Sequence, residues 1–224
     1  MKRRLAILFA PILILGLVTS AGAIDLNSVA EEVSREEQID RRIVKIWWFP
    51  VEYWVEAGRQ LKKSSEEIDR IRRLFRNYLL IGILDAEVSQ DGLFDAATPS
   101  DIGPELEVRR NGVKIEILRD IDPKVARLTH ELSYFAKASL LGLSSGLRIF
   151  FLPNLDKKGR PILQGLSSGE LEVAYARKAD AQEPFRFFWR TPLTSVAGSS
   201  TCPEGGELLE AHWLYCPWHG IRVR

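Results

Sequence analysis

Apolar and polar positions recur with two different periods along this chain, and each change of period marks an element. After Ser64-Ser65-Glu66-Glu67, the residues Ile68, Ile71, Phe75 and Tyr78 return at three- and four-residue steps, which puts them on one helical face. Ser64 and Glu67 stand three apart, the spacing of a capping box in which each side chain satisfies an orphan backbone N–H. Glutamates open this helix and Arg70, Arg72, Arg73 and Arg76 close it, the order the helix dipole favours. Leu79 to Leu84 then form a continuous apolar run, which predicts a short buried strand.

Downstream, Asn111-Gly112 predicts a type I′ hairpin turn, because both central residues of that turn need a positive φ. Pairing outward sets Val108 opposite Ile115 and Leu106 opposite Ile117 on an apolar face. On the other face Glu107 meets Glu116 and Arg109 meets Lys114, with the diagonals Arg109–Glu116 and Glu107–Lys114 relieving the like charges. Asp122-Pro123 reads as an N-cap followed by proline at N1. The helix behind it carries Val125, Leu128, Leu132, Phe135 and Leu143 near one face and ends about Gly142. Three strands follow, over 147–152, 169–177 and 185–190, with the turn Asp156-Lys157-Lys158-Gly159 between the first two. Leu171, Val173 and Tyr175 alternate with Glu170, Glu172 and Ala174, while Phe185, Phe187 and Trp189 face the core and Phe188, on the opposite face, is either exposed or covered by a helix.

The amino-terminal half is less regular. Asp25 to Lys45 is strongly charged, with Ile24, Leu26, Val29, Val33, Ile39 and Ile43 at partly helical spacing, and reads as an amphipathic helix or a loosely held arm. Pro50 fits the first turn of a helix reaching about Lys63, flanked by Trp47, Trp48, Phe49, Tyr53 and Trp54. The expected fold class is α+β: amino-terminal helices, a mainly antiparallel sheet with one packed helix, and a small two-knuckle tail. The expected divisions are a signal peptide (1–23), an N-terminal helical region (24–78), an α+β domain (79–196) and a zinc-ribbon-like tail (197–224).

The first 23 residues change how the rest is read. Lys2-Arg3-Arg4, an apolar Leu5 to Val18 and the small exit Ala21-Gly22-Ala23 have the layout of a cleavable secretory signal, too short to span a membrane as a helix. Cleavage near Ala23 places the mature protein in the periplasm or outside the cell. The full chain has 31 basic and 30 acidic residues; losing Lys2, Arg3 and Arg4 leaves 28 against 30, a net charge of −2. That balance argues against nucleic-acid binding, which needs concentrated positive charge.

The tail contains Cys202-Pro203-Glu204-Gly205-Gly206 and Cys216-Pro217-Trp218-His219-Gly220, two Cys-Pro-x-x-Gly turns 14 residues apart. In an oxidising compartment, two lone cysteines at such positions are expected to form a disulfide, Cys202–Cys216. Closing that loop would stabilise by roughly 3 kcal/mol on a chain-entropy model. The paired turns also resemble a zinc ribbon, in which two knuckles offer four ligands to one zinc ion. The resemblance covers about a tenth of the chain. It implies Cys202, Cys216 and His219 as ligands, with His212 as a fourth from outside the motif; Gly205 stands where the first knuckle's second ligand would be. Cys-Pro-Trp-His-Gly looks also like a second Rieske box, but the first box would need Cys-x-His and has Cys202-Pro203-Glu204. The whole pattern is similar to a group of uncharacterised exported bacterial proteins, which implies no activity.

Catalytic patterns are absent: no nucleophile elbow, phosphate loop, His-Glu-x-x-His or Cys-x-x-Cys occurs. His130 falls on the solvated side of its helix, and Asp85, Asp91 and Asp95 are the carboxylates that an enzyme would gather from separate loops. The expectation is therefore a non-enzymatic exported protein without a cofactor that binds or scaffolds an unknown envelope protein. The candidate surfaces are Trp47, Trp48, Tyr53 and Trp54, which could also touch a membrane peripherally, and the tail residues Trp213 and Trp218. The alternative is a zinc-binding protein using the four tail ligands.

Overall fold

The computed structural model describes residues 24–89, 94–98, 102, 106–133, 146–176 and 183–224. Its first half runs α1 (Leu26–Glu32), β1 (Ser34–Ile39), β2 (Arg42–Phe49), α2 (Val51–Gln60), α3 (Ser65–Phe75), β3 (Tyr78–Val88), β4 (Phe94–Ala96), β5 (Leu106–Arg110) and β6 (Val113–Ile115). The second half runs α4 (Pro123–Leu132), β7 (Arg148–Pro153), β8 (Gly169–Tyr175), β9 (Phe185–Thr191), α5 (Thr194–Ala197), β10 (Ser200–Thr201) and β11 (Leu208–Leu209). All strand pairs among the described residues are antiparallel, and the fold is α+β.

β3 is the spine of one sheet. One edge pairs along most of its length with β2; the other takes β7 against residues 78–83 and β4 against residues 86–88. A second sheet has the order β6-β5-β8-β9, and β10-β11 form a two-stranded ribbon. One apolar core joins both larger sheets to the helices, with Ile81 and Ile83 of β3, Val173 of β8 and Trp189 of β9 all buried in it. Asp85 crosses between the sheets: it takes hydrogen bonds from Arg42 Nε and Nη2 at 2.9 and 2.7 Å and from the Tyr175 hydroxyl.

Local signals placed several elements. At α3 the Ser64 hydroxyl accepts from Glu67 N while the Glu67 carboxylate accepts from Ser64 N at 2.9 Å. Asn111 and Gly112 have φ of 46° and 79°, and Val108 faces Ile115 across the turn. Leu106 and Ile117 do not pair, and the charges settle along each strand, Arg109 with Glu107 and Lys114 with Glu116, rather than on diagonals. The Asp122 side chain caps α4, which is described as far as Leu132; Phe135, Gly142 and Leu143 lie outside the described residues.

The expected helical region over 24–78 needs correction. Only Leu26–Glu32 of its charged first part is helical; Ser34–Phe49 is a hairpin belonging to the main sheet. β1 is an edge strand with exposed charges, so it lacks the apolar alternation that would mark it. Its two-residue turn is Asp40-Arg41, with Asp40 at φ 52° and no glycine to announce it. Pro50 sits one position earlier than expected, as the N-cap of α2. The signal segment, 1–23, and Asp91 lie outside the described residues.

Candidate metal centre

The tail builds its own small core from Cys202, Leu209 and Cys216, with Trp213, Ile221 and Val223 packed on it. Both cysteines open turns of identical hydrogen-bond pattern. In the first, Cys202 N donates to Glu207 O and Gly206 N to Cys202 O, each at 2.8 Å. In the second, Cys216 N donates to Ile221 O at 2.9 Å and Gly220 N to Cys216 O at 2.8 Å. Gly206 and Gly220 close the turns at φ of 74° and 68°, a conformation that costs glycine least. The two sequences therefore superpose residue for residue, with Gly205 in the position of His219.

The cysteines are free in the structure and buried, which departs from the expected disulfide. The His219 ring stands between them, with Nδ1 at 3.4 Å from Cys202 Sγ and 3.5 Å from Cys216 Sγ. Tetrahedral zinc, with Zn–S of about 2.3 Å and Zn–N of about 2.0 Å, requires an S···N separation of about 3.5 Å. A fourth group completes the set. Glu207 Oε2 lies 3.7 Å from His219 Nδ1, and all four ligand atoms fall within 4.8 Å of one another. That carboxylate oxygen is shielded from solvent yet receives no hydrogen bond, an arrangement that a cation would relieve.

Gly205 explains why Glu207 can be there. A Cβ at position 205 would lie 2.2 Å from both Glu207 carboxylate oxygens and 2.3 Å from His219 Cε1. The first knuckle thus gives up the ligand at its second position and admits a carboxylate from two residues later. The residues present suit zinc: two thiolates, an imidazole and a carboxylate are all ordinary zinc ligands.

His212, expected as the fourth ligand, is outside this group. Its ring packs edge-on against Trp213, 6.2 Å between centroids. Glu207 falls outside the ribbon's ligand spacing; its signal in the sequence is an acid directly after a Cys-Pro-x-Gly-Gly turn.

The candidate interaction surfaces separate cleanly. Trp47, Trp48, Tyr53 and Trp54 are buried, at 5 % exposure or less, so this expected surface is corrected to core. Trp54 stacks on Phe75 at 4.8 Å, holding α2 against α3. Trp218 is 58 % exposed and meets the half-buried Trp213 edge-on at 5.6 Å. Beside it Leu214 and Tyr215 are also exposed. Of the acids considered for catalysis, Asp85 is fully buried in its ion pair and Asp95 is exposed on β4. Phe188 is exposed and His130 lies on the wet side of α4.

No family model matches the chain, and no curated protein matches it. Among solved structures it is similar to a DUF4426 family protein from Pseudomonas aeruginosa PAO1, at 8 % identity and a TM-score of 0.33. That alignment covers 71 % of this chain and 94 % of the other. A likeness at that level carries no argument about function.

Proposed function

We propose that this is an exported, non-enzymatic binding or scaffolding protein of the cell envelope whose C-terminal module holds a structural zinc ion on Cys202, Glu207, Cys216 and His219. The observation that carries the zinc reading is the convergence of these four ligand atoms within 4.8 Å, among them a shielded carboxylate oxygen that receives no hydrogen bond. Four protein ligands leave no open coordination position, which makes the ion a staple rather than a catalyst. Export is inferred from the leader. The binding role draws on the exposed Leu214, Tyr215 and Trp218, which stand next to the centre and would be held in place by it.

The test is the intact mass of protein recovered from the envelope fraction, under native and denaturing spray, before and after reduction. A chain starting at Ile24, with a native mass about 63 Da above the denatured one (zinc replacing two thiol protons), supports the proposal. A metal-free chain about 2 Da lighter than its reduced form would overturn the zinc centre and establish a Cys202–Cys216 disulfide. A retained leader would overturn cleavage. For the binding role, a Leu214→Ser, Trp218→Ser variant should lose whatever envelope protein co-purifies with the parent; an unchanged set would sink that part.

A further inference from the structure

A second site lies away from the tail. α2, the C-terminal end of α3 and the loop around Pro161 to Leu166 enclose an open cleft of about 490 Å³, within the usual size range for small-molecule sites. Val51, Val55 and Leu166 give it an apolar side, and Leu166 is 57 % exposed there, a large apolar side chain with no core to join. Arg59, Arg72, Arg73 and Arg76 line it as well.

The arginines are not equivalent. Arg59 pairs with Glu56 at 3.0 Å and Arg72 with Asp69 at 2.5 Å, each within its own helix. The guanidinium groups of Arg73 and Arg76 have no ion-pair or hydrogen-bond partner among the described residues. Arg73 lies in the last turn of α3 and Arg76 is its C-cap, three residues on, which makes them neighbours at that helix end. The acid lining this cleft, Glu52, is bonded by the backbone N–H of Gly165 at 3.4 Å, and no arginine pairs with it. Burial pushes the Glu52 carboxyl above its ordinary value.

Favourable helix-dipole placement explains cations at the end of α3 but not an apolar trough beside them. Two adjacent guanidinium forks match the oxygens of a phosphate, and the trough matches a hydrocarbon chain. We propose that this cleft binds a single-chain anionic lipid, its phosphate head on Arg73 and Arg76 and its chain along Val51, Val55 and Leu166. The site is independent of the zinc centre.

The experiment is calorimetric titration of the mature protein, metal content as purified, with dodecyl phosphate below its micellar concentration and, separately, with inorganic phosphate. The variants are Arg73→Glu with Arg76→Glu, Leu166→Asp, and Arg70→Glu as a control that lines a different cleft on α3. All these side chains are exposed, and unchanged thermal melting checks that each variant folds. One dodecyl phosphate per chain is expected, weakened at least tenfold by the arginine pair and by Leu166→Asp, and left unchanged by Arg70→Glu. Inorganic phosphate should bind at least tenfold more weakly. The proposal is overturned if dodecyl phosphate shows no saturable binding, if Arg70→Glu weakens it as much as the pair does, or if inorganic phosphate binds equally well.

Discussion

A single missing Cβ shapes the candidate metal centre. At Gly205 the backbone comes so close to the Glu207 carboxylate and the His219 ring that even alanine would displace one of them. Gly205→Ala should therefore weaken zinc at least tenfold, about 1.4 kcal/mol, in competition with a chelator of known affinity. His212→Ala, which removes only an edge contact on Trp213, should leave the affinity unchanged. Equal affinities for Gly205→Ala and the parent would show that Glu207 is not a ligand. Asp85 illustrates the opposite fate for a carboxylate. Removed from solvent and bonded by Arg42 and Tyr175, it ties two sheets together, and breaking a buried pair of this kind typically costs about 3–5 kcal/mol.

At the scale of elements, α3 shows how much a short helix owes to its first turn. The Ser64 N–H and hydroxyl hold the Glu67 carboxyl below its ordinary value of 4.5. A lowered folded-state pKa contributes stability that is present above the ordinary value and lost as pH falls through the lowered one. Ser64→Ala removes the hydroxyl half of the box and should cost about 1 kcal/mol in urea unfolding at neutral pH. The cost should shrink in acid; the same penalty at both pH values would show that the carboxylate does not take part. α3 and the turn at Asn111-Gly112 were legible because their signals lie within four residues. The β1–β2 hairpin was not. Its edge strand shows no apolar alternation and its turn carries no glycine; β2 is fixed in the sheet by Val44 and Ile46 meeting Asp85 and Ile83 of β3, some 40 residues on.

Across the whole molecule, the tail is tied to the main core through a short chain of capping contacts. Glu32 of α1 accepts from Thr194 N and Ser195 N at 2.8 Å each, opening α5. The Thr194 hydroxyl then donates to Glu210 at 2.6 Å and accepts from Ala211 N at 2.9 Å. The tail's own apolar cluster is small, too small to order some 25 residues unaided. Chelation should therefore raise amide exchange in residues 200–224 while β3 and β8 stay protected. Loss of protection in both at once would show that tail and core unfold as a unit. The amino-acid sequence by itself determined the α+β class, the caps at Ser64 and Asp122, the type I′ turn and the pair of knuckle turns, because the caps and turns depend on backbone stereochemistry within a few residues and the class on the periods of the elements. Tertiary structure alone decided that the tryptophans around Pro50 are core, that Asp85 bridges two sheets and that Glu207, not His212, reaches the thiols. Burial and ligand convergence are properties of groups brought together from distant or differently turned stretches of chain, which motif spacing alone does not specify.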